Sequence, residues 1–146
     1  MKTLFIALTM LAMVSTKNTY ANEEKISAFI LQSFNNSFDN AKNVTWSKVK
    51  DLYKAEFVLN DQTLSVWYSP EGDLIALSRK MNPEQLPLSL QTSLQKRAEG
   101  YTITELFEID NDAGTSYYAA LENNSKKIIL ESISVGGWSI YQKSKK

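Results

Sequence analysis

The sequence predicts an α+β fold of two tandem units, each a helix followed by four antiparallel strands, joined into one sheet with both helices on one face. Three observations carry that expectation. Two amphipathic segments have helical spacing, and eight short segments alternate apolar and polar residues as strands do. In addition, residues 52–77 align without gaps on residues 116–141 at an offset of 64. Tyr53 meets Tyr117, Ala55 meets Ala119, Asn60 meets Asn124 and Gly72 meets Gly136. Apolar positions keep phase as well: Phe57 with Leu121, Leu64 with Ile128, Val66 with Leu130, Leu74 with Trp138. Units of about 60 residues are marginal alone, which favours one shared sheet, and an antiparallel sheet can leave one face open.

The first element is an address. Residues 1–21, MKTLFIALTMLAMVSTKNTYA, place Lys2 ahead of an apolar run of about 11 residues from Leu4 to Val14 and end in Thr19-Tyr20-Ala21. That pattern suits a cleaved signal peptide and falls short of the ~20 residues that span a bilayer, a retained anchor being the alternative. The expected product is exported, to the periplasm or secreted, without membrane insertion after cleavage. It forms a single domain over residues 22–146.

In NEEKISAFILQSFNNSF, Ile26, Phe29, Ile30 and Phe34 fall on one helical stripe, with Glu23 and Glu24 in the first turn at the positive end of the helix dipole. Strands are expected at about 43–49, 52–60, 63–69 and 74–80, punctuated by NDQ and SPEGD turns. The segment KMNPEQLP links the halves, because its prolines interrupt a continuing strand. A second helix follows in LPLSLQTSLQKRAEGY, with Pro87 as its first residue, Leu90, Leu94 and Ala98 on one face, and Gly100 as its stop. At the offset of 64, Ile26, Ile30 and Phe34 fall on Leu90, Leu94 and Ala98. The remaining strands are expected at about 102–109, 116–122, 126–133 and 138–143, turned by ENNS and SVGG. Between helix and hairpin the register slips, since NVTWSKVK and ITELFEID align only with a small shift. The repeats span about 23–80 and 86–143.

Strand alternation assigns the faces. Tyr53, Ala55, Phe57, Leu64, Val66, Leu74 and Ala76, with their partners Tyr117, Ala119, Leu121, Ile128, Leu130, Trp138 and Ile140, are expected against the helices. Burying them contributes about 25 cal/mol per Å² of apolar area. The opposite face carries Lys54, Glu56, Ser65, Arg79 and Glu131, and also Trp67, Ile75, Leu77, Tyr118, Ile129 and Tyr141. Aromatic and arginine anchors dominate protein interfaces, whereas cross-strand pairing is the plainer reading of the same residues. The candidate partner-binding set is therefore Trp67, Leu77, Arg79, Tyr118, Ile129 and Tyr141. Trp67 leads it because its counterpart in the second repeat is Glu131, so the repeated core does not require a tryptophan there.

Composition narrows the chemistry. The chain has no Cys and no His. Thiol nucleophiles, disulfides, Cys-based metal sites and His-dependent triads are all excluded within it. Removing Lys2 and Lys17 from the 16 basic residues leaves 14 against 16 acidic ones, with no basic stripe to suit a nucleic acid. The basic tail QKSKK reads as a solvated terminus. SLQK, Ser93 to Lys96, has S-x-x-K spacing but lacks the companion S-D-N and K-T-G motifs. EIDNDAG, Glu108 to Gly114, brings its glycine one position too early for a calcium loop and reads as a turn between strands. No catalytic residue, metal ligand or cofactor is assigned.

Val44-x-Trp46, the Tyr53-x-Ala55-x-Phe57 strand, the WYSPEGDL turn and the LP…L helix ending at Gly100-Tyr101 occur in an order that resembles the beta-lactamase-inhibitor-like, PepSY-like exported proteins of Bacteroidetes-type bacteria. The resemblance covers about residues 26–142. It implies tandem helix-plus-sheet units with a concave sheet face as binding surface, a face that in related inhibitors grips a target enzyme through aromatic side chains. It also implies a link to the restraint of peptidases. The chain departs from the disulfide-bearing inhibitors in having no cysteine.

The expected function is a non-catalytic exported binding module for a protein or peptide, an inhibitor or modulator acting through the open sheet face. Two alternatives remain open: a small-ligand carrier or enzyme with a pocket between sheet and helices, and a self-associating structural protein of the envelope.

Overall fold

The computed structural model describes residues 25–145, so the expected signal peptide lies outside the described residues. One eight-stranded antiparallel sheet, its strands in sequence order, forms the body of an α+β fold. Helix α1 (Ala28–Ser37) precedes β1 (Lys42–Val49), β2 (Leu52–Leu59), β3 (Gln62–Tyr68) and β4 (Leu74–Lys80). A short 3-10 turn at Pro83–Gln85 leads into α2 (Leu88–Arg97), then β5 (Thr102–Asn111), β6 (Gly114–Glu122), β7 (Lys126–Ile133) and β8 (Ser139–Lys145).

Helix α1 starts later than its apolar stripe suggests. Ser27 is the N-cap, and its hydroxyl accepts a hydrogen bond from the Ile30 amide at 3.2 Å. Glu23 and Glu24, expected in its first turn, lie outside the described residues. Ile30 and Phe34 are buried, whereas Phe29, expected on the same stripe, is 61% exposed. Pro87 occupies the N-cap position of α2 and Leu88 opens the helix. The linker is more ordered than its prolines imply. The Gln91 side-chain amide donates to the Glu84 and Leu86 carbonyls at 3.0 and 2.9 Å, which ties the 3-10 turn to α2.

Both helices lie on the same face of the sheet. Under α1, Ile30 and Phe34 pack with Ala55, Phe57, Val66 and Tyr68, and Trp46 meets Phe34 edge-on at 5.3 Å. Under α2, Leu90 and Leu94 pack with Leu106, Tyr117, Ala119, Leu121, Leu130 and Trp138. The Trp138 indole N–H donates to the Leu90 carbonyl at 3.1 Å, fixing the start of the last hairpin strand to the helix. The rows Leu64, Arg79, Glu108 and Tyr117 run in register across β3 to β6, which places the two clusters on one side.

A β-bulge in β4 overturns part of the expected face assignment, and a second bulge, in β8, leaves it standing. Tyr68 pairs with Leu74 but Trp67 pairs with Ala76, so Ile75 is an extra residue in β4. Every residue after a bulge points to the face opposite to simple alternation. Ala76, expected against the helices, belongs to the helix-free side, while Leu77 and Arg79, expected on the helix-free side, belong to the helix side. Leu77 packs against the α1 cluster, and Arg79 binds Glu108 through Nε at 2.7 Å and Nη2 at 3.1 Å. In β8 the extra residue is Tyr141, between Ile140 opposite Leu130 and Gln142 opposite Ile129.

Candidate functional site

The helix-free face is built from every second residue of the central strands. In register order one row reads Lys54, Trp67, Ala76 and Asn111, and the next reads Glu56, Ser65, Ser78, Ile109 and Ser116. A third runs Lys80, Phe107, Tyr118, Glu131 and Ser139, and a fourth Glu105, Ala120, Ile129 and Gln142. Trp67, Ala76, Ile109, Tyr118, Ala120 and Ile129 form one buried cluster here, flanked by Leu52, Ile75, Phe107 and Tyr141. This third core spans both halves of the chain, and among the described residues no helix packs over it.

Of the six sequence-predicted residues, Trp67, Tyr118, Ile129 and Tyr141 come together on this face, while Leu77 and Arg79 do not. Trp67 has the expected direction but not the expected exposure, being 1% accessible. Lys54 explains part of that: its ammonium sits 5.5 Å from the centre of the indole ring and binds Glu56 at 2.9 Å. The lysine stem covers apolar surface while its head stays paired, so a charged residue acts as the lid of an aromatic one. Tyr118 and Ile129 are also buried; Tyr141 is partly exposed.

Tyr118 and Tyr141 meet edge to face, ring centres 5.6 Å apart at 86°. The Tyr118 hydroxyl donates a short hydrogen bond to the Glu131 carboxylate. Burial raises the Tyr118 phenol above its ordinary value of 10.0, and the bond to Glu131 raises it further. Tyr141 is raised for the same leading reason, with Glu131 adding to it. Both therefore stay neutral donors at physiological pH. Exposed on the same side at the end of β7 stands Ile133, 67% accessible.

Sequence reasoning missed Glu105, Phe107 and Ile109, because they sit in a strand whose apolar residues alternate between two cores and so give no period-two signal. One Glu105 carboxylate oxygen is shut off from solvent with no donor. Burial raises this carboxyl above its ordinary 4.5, opposed by Lys80 and Lys127. The residues of the remaining motifs have local duties: the Ser93 hydroxyl donates to the Ser89 carbonyl at 2.9 Å, and Asn111 caps the Asp112-Ala113 turn by accepting from the Ala113 amide at 2.8 Å. Among the described residues no helix is long and apolar enough to cross a membrane.

No family model and no curated protein matches the sequence. Solved structures do. A Bacteroides eggerthii protein provisionally described as periplasmic superposes with a TM-score of 0.74 at 12% identity, over 83% of this chain and 89% of its own. A BLIP-like protein from Bacteroides fragilis gives 0.68 at 18% identity, over 83% and 86%. A DUF2874 family protein from Bacteroides uniformis gives 0.72 at 14% identity, over 82% and 88%. At such identities the likeness is one of fold, and the chain has the architecture of these BLIP-like and DUF2874 family proteins of Bacteroides.

Proposed function

We propose that the chain is a non-catalytic exported binding module that contacts a protein or peptide through its helix-free sheet face, as an inhibitor or modulator of an envelope protein or peptidase. The observation that carries this reading is the apolar, aromatic cluster of that face, over which no helix packs among the described residues. Tyr141 and Phe107 are among its partly exposed members, Ile133 stands exposed on the same face, and Glu56, Lys80 and Gln142 lie around them. Tyrosine-rich patches with polar rims are the usual anatomy of a protein-contact surface. Between sheet and helices, by contrast, Ile30, Phe34, Leu90 and Leu94 fill the space against the strands, which disfavours the carrier reading. Two depressions, of about 520 and 480 Å³, lie at the Gly100–Thr102 and Glu122–Ser125 turns and beside α2, away from this face.

The proposal takes residues 1–21 as a signal peptide and 22–146 as one domain of two repeats. Burial supports the repeat with a refinement. Ile30, Phe34 and Trp46 correspond to Leu90, Leu94 and Leu106 at a spacing of 60, whereas Ala55 and Val66 correspond to Ala119 and Leu130 at 64. The four extra residues of the second half fall between Leu106 and Ala119, where the β5–β6 hairpin extends beyond its β1–β2 counterpart.

The test is affinity capture from the envelope extract of the source cell, followed by binding of the identified partner to surface variants. Trp67→Ala is unsuitable, because emptying a buried tryptophan site costs about 3–5 kcal/mol of stability. Tyr141→Ala combined with Ile133→Ser should keep the fold and weaken binding at least about tenfold, the scale of a lost aromatic anchor. Leu88→Ser, on the helix side, should leave it unchanged. Equal binding by all three proteins would refute the assignment of the face.

A further inference from the structure

We infer that Glu105 is the subsite for a cationic side chain, lysine or arginine, carried by the protein or peptide that lies on the helix-free face; the inference rests on the assignment of that face. The placement comes from register. Glu105 stands opposite Ala120 in a row that continues to Ile129 and Gln142, just after the bulge at Thr104. The Thr104 hydroxyl, donating to the Ala120 carbonyl at 3.4 Å, holds that bulge to the neighbouring strand. The next row along the face is Phe107 and Tyr118, so the carboxylate borders aromatic surface.

The other carboxylates of this face have donors. Glu131 accepts from Tyr118, Glu56 from Lys54 at 2.9 Å, and Glu122 from Lys127 at 3.1 Å. Glu105 keeps an oxygen that is shielded from water and has no donor. Lys80 and Lys127 act on it only through space, and Glu122 opposes them. A buried acceptor without a donor costs free energy that a charged donor recovers most fully. The last torsion of a glutamate is broad, so the carboxylate re-aims toward an arriving group at small cost. A lysine or arginine stem would rest on Phe107 and Tyr118 while its head meets the carboxylate. A neutral amide would supply the hydrogen bond without the charge, and a carboxylate would be repelled.

A phage-displayed library of random peptides, selected on the mature protein, tests this without knowledge of the natural partner. Peptides whose binding is lost on Tyr141→Ala are the face-directed ones. Among them a lysine or arginine should recur at one position. Replacing it by citrulline or norleucine, or replacing the receptor residue by Glu105→Gln, should weaken binding about ten- to a hundredfold, the range for a hydrogen bond to a charged group. Glu84→Gln, a charge-matched change outside this face, should have no effect. Binding to the wild type should also weaken as acid protonates Glu105, and this dependence should vanish in Glu105→Gln. Face-directed peptides that lack a basic residue, or that bind Glu105→Gln equally, overturn the subsite but leave the face standing. Recovery of no face-directed peptide overturns both.

Discussion

Tyr118 shows how one residue links the helix-free core to its rim. Its ring lies in the buried cluster, its edge meets Tyr141, and its hydroxyl ends on Glu131. Burial and that bond both favour the neutral phenol, so its folded pKa lies above the unfolded value of 10.0. The stabilisation this represents is complete below pH 10, where the unfolded chain is also protonated. It is lost as pH rises from there towards the folded value, because the unfolded chain releases its proton first. Urea midpoints measured between pH 8 and 11 should therefore fall steeply above pH 10 for the wild type. They should fall less steeply for Tyr118→Phe, with Tyr117 and Tyr141, also raised by burial, supplying the remaining slope. Identical slopes for the two proteins would show that Tyr118 titrates alike in both states.

At the scale of elements, the hairpin between β3 and β4 shows what a sequence carries and what it does not. The strand positions are legible in the alternation of Leu64, Val66 and Tyr68 with Ser65 and Trp67, and in the turn chemistry of SPEGD. The bulge at Ile75 is not, because a bulge belongs to the pairing of two strands and leaves no mark in either alone. For that reason the side taken by Trp67 is readable while those of Leu77 and Arg79 invert. The exposure of Trp67 is equally illegible: it depends on Lys54, opposite on the next strand, and on Ile109 and Tyr118 from the other half. The turn itself has a further constraint. Gly72 has φ +91°, and a Cβ there would stand 2.5 Å from the Phe29 ring, which lies against the turn. Gly72→Ala should lose about 1–2 kcal/mol from the left-handed backbone alone, with the clash added to it. Because Phe29 is largely exposed, Phe29→Ala should remove the clash and make the double variant less damaged than the sum of the singles. Strict additivity in urea unfolding would mean that the helix and the turn do not touch.

For the whole molecule, the three cores divide the work unequally. Each helix seals one cluster within its own half, and among the described residues only the helix-free core draws side chains from both, Trp67 and Ala76 from the first, Ile109, Tyr118, Ala120 and Ile129 from the second. The β4–β5 ladder and the Arg79–Glu108 pair add further ties across the junction. The face proposed to meet a partner is thus also the face that joins the halves, which accounts for a buried tryptophan on the side opposite the two helices. A half expressed alone, residues 25–82, would keep its helix and four strands but lose every second-half neighbour of Trp67 and leave β4 as a bare edge. A chain of about 60 residues buries only about 60% of its unfolded surface and has little stability to spare. The isolated half should therefore show poor amide dispersion and no cooperative urea transition, while the full chain unfolds in one step whether followed by Trp46 and Trp67 or by Trp138 emission. A well-dispersed spectrum from the half alone would show that each unit is self-sufficient, and the helix-free core would then be free to serve contact rather than cohesion.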